Sequence, residues 1–457
     1  MPADAATVAR QQAAMKEVYS KMGEKHFDEK TFTLDILDKG DFNSPSIARM
    51  MADEDKDGKM IVLQAHTAGN PNAGIPVSES AGYPRAGSQE RNTLRFRSKA
   101  LVSSASITAE TLARTSNDYQ SVFRVAAKEG EDLISNTRRK ENKWALGDGS
   151  ALLGTTTGTD WDDSANTITV AAAETSNFEV GMEIVPRTKQ GGALMTGWPE
   201  TGGVPHPAKI TAIDSATGAL TVVDGYTGSA MSFSDVTTEH GVYPWDAQGE
   251  APWGLDIVCS DANPSAHGFD PASAPEDEVG LSKNFGGVDR TANAWWKGIP
   301  QKDLGGRTID VQTDLIPLEG TLLQRDSTAR EQYSIFCLSA YQEFNDVVHQ
   351  LEVAKRTVHR TRITDNQWEV VQSGMFTFGY DTEVAAGDYF FFNPKHLYRL
   401  VLVPWHFEDF QGSEYTQIND ALGRPTSGRR RNLRKEGNML ASSCRHAHKF
   451  INAGVTS

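Results

Sequence analysis

The stretch from Ile107 to Gly149 constrains this chain more than any other. Apolar or small residues recur at Tyr119, Val122, Phe123, Ala126, Gly130, Leu133, Ile134, Thr137 and Trp144, one stripe at three- and four-residue spacing. Thr108 is placed to cap a first turn, with Ile107 and Leu112 as a hydrophobic staple, and Ser116 or Asn117 offers a second start. Gly147-Asp148-Gly149 ends the pattern. At 1.5 Å per residue the spacing from Asn117 to Leu146 predicts a helix about 45 Å long. That exceeds the usual three or four turns and suggests a structural spine.

The segments before the spine read as arms. Residues 4–24 read as a polar helix with Val8, Met15, Val18, Tyr19 and Met22 as its apolar positions; this fits either an arm lying on a neighbour or a loosely held terminus. Met60–Ala65 reads as a short strand. Thr93–Val102 reads as a second, with Leu94 and Phe96 on one face and Arg95, Arg97 and Lys99 on the other. The intervening segment, about 27 residues rich in Gly, Pro, Asn and Ser, exceeds ordinary hairpin loops and suits an arm that orders against a partner, or disorder.

After the spine the pattern turns to β. Thr167–Val170, Glu183–Val185, Lys209–Ile213 and Leu220–Val223 read as short strands of a small barrel or sandwich, and residues 259–290 as loop. An α/β section follows. Tyr333–Leu338 reads as a strand, and Ser339 with Gln342 as a capping box ahead of a helix face at Phe344, Val347, Val348 and Leu351. Met375–Tyr380, Tyr389–Phe392, Leu397–Val403 and Cys444–Ile451 read as further strands. The expected class is α+β.

Composition narrows the function. The 457 residues carry a formal net charge of -15, opposite to the basic balance of a phosphate-gripping protein. Three cysteines, Cys259, Cys337 and Cys444, are too few and too widely spaced for a disulfide framework. No secretory signal or apolar run of membrane-spanning length is read. Asp53-Glu-Asp-Lys-Asp-Gly58 matches half a calcium loop, but Gln64 stands where a bidentate Glu is needed. Cys444, His446 and His448 would share one strand face as an incomplete zinc set. Dinucleotide, P-loop, serine-hydrolase and zincin motifs are missing from the sequence. Arg429–Arg431 with Arg434 and Lys435 form a basic cluster, read as a solvated loop or one paired with nearby acids in preference to a DNA-facing patch. No catalytic, cofactor or metal residue is assigned, and the chain reads as a structural protein.

Three groups of residues carry a resemblance. The first is Arg97-Ser-Lys-Ala-Leu-Val-Ser-Ser-Ala-Ser-Ile-Thr108 leading into the spine and Trp144-Ala-Leu-Gly-Asp-Gly149. The second is Pro252-Trp-Gly-Leu255, Gly287-Val-Asp-Arg290 and Trp295-Trp-Lys-Gly298. The third is Phe378-Gly-Tyr-Asp381 with Gly387-Asp388 and the strand from Leu397. In order and spacing, over roughly 60–154 and 254–452, the chain resembles the major capsid proteins of tailed bacteriophages with the Hong Kong 97 fold. The resemblance implies an N-terminal arm over 1–59, an extended E-loop over 60–106 and the peripheral domain's spine helix over 107–154. It further implies a β-rich insertion over 155–250, a mainly axial domain over 251–370, and C-terminal strands over 371–457 shared by the axial and peripheral domains.

The implied function is self-assembly, through hexamers and pentamers, into the icosahedral shell enclosing a double-stranded DNA genome. A separate scaffold protein, a portal and decoration proteins are implied partners, DNA is touched without sequence specificity, and no membrane is involved. Localisation would be the virion, after assembly in the host cytoplasm. Some relatives cross-link through an E-loop lysine; this segment has none between Lys59 and Lys99, so a shell without that link is expected. Rival readings are a cargo-holding nanocompartment shell, and a carbohydrate-binding adhesin suggested by Trp161, Trp198, Trp245 and Trp253.

The assembly contact expected from the sequence is a local reversal of sign. Arg85, Arg91, Arg95, Arg97 and Lys99 surround a single acid, Glu90, within an otherwise acidic chain. Leu94 and Phe96 are expected to lie on a neighbour's spine region. The basic face would meet Glu129, Glu131 and Asp132 there, or Glu276, Asp277 and Glu278.

Overall fold

The computed structural model describes residues 33–34, 60–68, 90–107, 119–156, 161–162, 166–188, 194–195, 198–201, 204–231, 240–245, 251–262, 284–325, 334–353, 359–363, 368–408, 416–419 and 425–454. The chain is a mixed α+β fold. Strands β1 (Met60–Ala68) and β2 (Glu90–Arg97) pair antiparallel as a two-stranded ribbon, with Leu63 opposite Leu94 and Ile61 opposite Phe96. Strand β3 (Lys99–Ile107) joins a different sheet. The single strand expected over Thr93–Val102 is thus two, divided at Ser98. The side-chain phase explains it: Leu94 and Phe96 are buried at even positions, whereas β3 buries Leu101 at an odd one. A slip of one residue turns the faces over. Lys99 therefore does not continue the face of Arg95.

Helix α1 (Tyr119–Leu146) spans 28 residues, about 42 Å at 1.5 Å per residue. After it come β4 (Gly154–Thr156), β5 (Trp161–Asp162), β6 (Thr167–Thr169), β7 (Glu183–Thr188), the small hairpin β8 (Glu200–Thr201) and β9 (Val204–Pro205), then β10 (Ala208–Asp214), β11 (Ala219–Asp224) and β12 (His240–Pro244). Seven of these form one sheet in the order β4-β12-β7-β10-β11-β6-β5. Its core is its own, with Ile168, Ile184, Ile210, Leu220, Val222 and Val242 fully buried.

The second half starts with the short helix α2 (Leu255–Cys259), strand β13 (Lys302–Asp303) and helix α3 (Ile316–Arg325). Next come β14 (Ile335–Ser339), helix α4 (Tyr341–Val353), β15 (His359–Ile363), β16 (Trp368–Ser373), β17 (Phe376–Tyr380) and β18 (Tyr389–Phe392). The last strands are β19 (Leu397–Phe407), β20 (Thr416–Asn419), β21 (Pro425–Ala441) and β22 (His448–Ile451). A second seven-stranded sheet runs β13-β22-β18-β14-β17-β16-β15. Helix α4 follows β14 and packs Phe344, Val347, Val348 and Leu351 into the core against it. Because α4 begins at Tyr341, Ser339 ends β14 and does not occupy the expected capping position.

Strand β21 is the largest departure from the sequence reading. The basic cluster lies within a 17-residue strand, not a loop. Along one edge β21 pairs with β3, Arg431 opposite Ala105 and Lys435 opposite Leu101; along the other it pairs with β19 and β20. Arg434 bonds Glu408 at 3.1 Å and Glu436 at 2.6 Å. The last expected strand is also shorter, since the chain turns through Cys444–Ala447 before β22.

Candidate assembly joint and ribbon

The three groups of resemblance residues meet around one joint between α1, the ribbon and the C-terminal strands. Gly147-Asp-Gly149 packs directly on Pro252-Trp-Gly254. A Cβ on Gly254 would stand 2.5 Å from the carbonyl oxygens of Gly147 and Trp144, and one on Gly149, whose φ is +85°, 2.5 Å from the Trp253 ring. Neither position admits a side chain, so glycine is required for this approach of two backbones.

Phe285, Trp296 and Arg290 form the second corner. Phe96 meets Phe285 edge to face at 5.2 Å, Phe285 stacks on Trp296 at 5.7 Å, and Trp253 closes on Phe285 at 5.8 Å. Arg290 is fully buried and donates to the carbonyls of Ile257 (2.7 Å), Ser260 (2.8 Å) and Ala262 (3.0 Å). These accept at and beyond the end of α2, where carbonyls have no helical partner.

Asp381 ties the third group to the spine. Its carboxylate accepts from Asn142 Nδ2 at 2.9 Å, from Thr33 N at 3.0 Å and Thr33 Oγ1 at 2.6 Å, and from the Glu383 backbone N–H at 3.0 Å. Nearby, the buried Glu141 accepts from Arg399, Lys435 and Trp405 Nε1, the last at 3.0 Å. Burial pushes its pKa up, but the charges of Arg399 and Lys435 outweigh this and hold it below the ordinary value.

The ribbon's apolar face is not left for a neighbour. Leu63, Leu94 and Phe96 are buried in this chain's own core, Phe96 against Phe285. This corrects the expectation that Leu94 and Phe96 lie on another subunit. A two-stranded ribbon is marginal alone in water, and the aromatic corner supplies the surface it needs. Arg95 is exposed on the opposite face. Arg91 and Arg97 lie on β2, and Glu129, Glu131 and Asp132 on α1; their side chains are outside the described residues, as are Arg85 and Glu276, Asp277 and Glu278.

The chemical candidates disperse. Asp53–Gly58 and Gln64's side chain lie outside the described residues. Cys444 takes a contact from Arg290 at 3.3 Å, the His446 ring lies 4.3 Å from His396, and His448 sits against Phe391 and Phe450. Burial brings the His448 pKa down to about 4, with hydrogen bonding to the Ile299 carbonyl opposing it. Among the described residues no group of three or more His, Cys, Asp or Glu could hold a metal. All three cysteines are buried, which raises their thiol pKa values. Of the tryptophans considered for sugar binding, Trp198 and Trp253 are buried in cores, Trp245 donates to the Pro205 carbonyl at 3.2 Å, and the Trp161 side chain is outside the described residues. No helix among the described residues is long and apolar enough to cross a membrane.

No family model and no curated protein matches the sequence. Among solved structures the chain is similar to the cyanophage A-1(L) capsid asymmetric unit, with a TM-score of 0.45 and 10% identity over 90% of this chain and 93% of that one. It is similar to the capsid of cyanophage P-SCSP1u, with a TM-score of 0.35 and 10% identity over 87% of this chain and 84% of that one. It is also similar to the virus-like particle of Pyrococcus furiosus, with a TM-score of 0.27 and 8% identity over 92% of this chain and 95% of that one.

Proposed function

We propose that this chain is the major capsid protein of a tailed bacteriophage, a shell subunit of the Hong Kong 97 type and not an enzyme. The observation that carries the reading is the joint. The residues behind the resemblance hold a ribbon, a long helix and a C-terminal sheet together. Gly149 and Gly254 permit backbone contact, Phe285 and Trp296 seat the ribbon root, and Asp381 and Arg290 satisfy buried polar groups. Those are mechanical roles, as a subunit that must keep its shape within a closed symmetric assembly requires.

On this reading the ribbon of β1 and β2 is the root of an E-loop, α1 is the spine of a peripheral domain, and the sheet of β4 to β12 is an insertion. The sheet around β14 is axial. Hexamers and pentamers close the shell around double-stranded DNA, with a separate scaffold, a portal and decoration proteins as partners, and the assembled protein resides in the virion. Expressed with its scaffold, the full chain should sediment as closed particles visible by negative stain. A monodisperse monomer under every scaffold condition overturns the reading.

The basic face of the ribbon is the proposed contact between subunits. Arg95 and Arg97, flanked by Arg85, Arg91 and Lys99, meet acids of a neighbour, with Glu129, Glu131 and Asp132 as partners. Each exposed pair contributes only about 0–1 kcal/mol, but every subunit repeats it. Changing Arg95 and Arg97 together to Glu should block assembly or make it dependent on salt, with the monomer's circular dichroism unchanged. Normal shells at all ionic strengths would remove the basic face from the assembly contact.

A further inference from the structure

A cleft of about 210 Å³ lies between α1, β3, β19 and the inserted sheet. Leu101, Trp144, Met182 and Trp405 give it an apolar wall, and Lys143 reaches into the same space. Cavities of roughly 150 Å³ accept benzene, so this one has room for a larger ring system. The cations around it are not equally neutralised. Arg139 bonds Glu383 at 2.7 Å, and Lys140 stands 3.6 Å from Glu179. The Lys143 ammonium instead donates to an amide oxygen, that of Asn177, and among the described residues no carboxylate lies within ion-pair distance.

We propose that this cleft binds a small aromatic carboxylate, its rings among Trp144, Met182 and Trp405 and its carboxylate on Lys143. Ligand sites of this kind are mostly apolar with a few placed polar groups that fix orientation. A bound carboxylate would supply the opposite charge that the neutral Asn177 amide does not. Independently, burial holds the Lys143 pKa below the ordinary lysine value despite the opposing charge of Glu383, the behaviour of an under-compensated cation. The binding requires no assembled shell, so its failure would leave the capsid reading untouched.

Calorimetric titration of the full-length chain with 2-naphthoate and with its neutral isostere 2-naphthamide tests this. The acid should bind at least about tenfold more tightly than the amide, and Lys143→Met should abolish that preference. Val102 lines the cleft and is 51% exposed, so Val102→Trp should obstruct the mouth while leaving the fold intact by circular dichroism. That variant should lose binding of the acid, and it keeps the test decisive if Lys143→Met does not fold. Equal binding of acid and amide, no binding of the acid, or wild-type binding by folded Val102→Trp each overturns the proposal.

Discussion

Glu141→Ala should destabilise the unassembled chain by roughly 3–5 kcal/mol, the cost typical of removing one partner from a buried ion pair. The Glu141, Arg399 and Lys435 side chains are 6%, 9% and 5% exposed, so the two cations left behind cannot recover their hydration. Trp405 would also lose its acceptor. The damage should fall on the seam between α1 and the sheet of β19 and β21, because Glu141 is the carboxylate on α1 that bonds both strands. Urea unfolding followed by circular dichroism should show a large fall in midpoint. Adding Lys435→Met should restore part of the loss, since one stranded charge is then removed. If Glu141→Ala unfolds at the wild-type midpoint, the cluster does not hold the seam.

The same cluster sets a pH dependence with a definite sign. The folded pKa of Glu141 lies below its ordinary value near 4.5. Its contribution is therefore fully present above about pH 4.5 and is lost as the pH falls through the depressed folded value. Asp314, held at about 2 because Arg307 and Lys302 outweigh its burial, loses its contribution between about pH 3.8 and 2. Wild-type stability should decline steeply there, and Glu141→Gln should decline less steeply from a lower starting point.

The sequence made legible what local periodicity controls. In the described part of α1 the stripe buries Ile134 and Thr137, and the alternating strand β11 of the inserted sheet buries Leu220 and Val222; a buried face leaves a period. Strand β21 shows no clean period, because its buried phase includes Lys435, whose ammonium is paired with Glu141, 294 residues away. The break at Ser98 was hidden for a related reason: two strands of opposite phase abut, and their side chains alternate without an intervening turn residue. Gly149 and Gly254 were visible as motif letters, yet the contact that forbids a side chain at each joins segments about a hundred residues apart. The outward face of Arg95 was likewise legible, but the burial of Leu94 and Phe96 was not, since Phe285 follows a long loop-like segment.

Arg290→Ala should be comparably damaging, roughly 3 kcal/mol or more, by two additive routes. The first is the loss of donors to three carbonyls; hydrogen bonds to charged groups contribute about 1.5–3 kcal/mol each, and unpaired buried acceptors are penalised. The second is the space left by a long side chain that is fully buried beside Phe285, its guanidinium 5.5 Å from the ring centroid. Lysine does not restore the site, because one ammonium cannot reproduce the planar fork that sets Nη1 on the Ile257, Ser260 and Ala262 carbonyls and Nη2 on Cys444 Sγ. Arg290→Lys should therefore recover charge without recovering stability. Methionine should recover packing alone and fall between alanine and wild type. The local consequence should appear at the ribbon. Phe285 contacts both the guanidinium and Phe96, so loosening this corner removes the surface on which β2 rests. Hydrogen exchange should rise in β2 before it rises in the inserted sheet, whose core is separate. Uniform loss of protection across both regions, or a wild-type urea midpoint in Arg290→Ala, would show that Arg290 does not anchor the ribbon root.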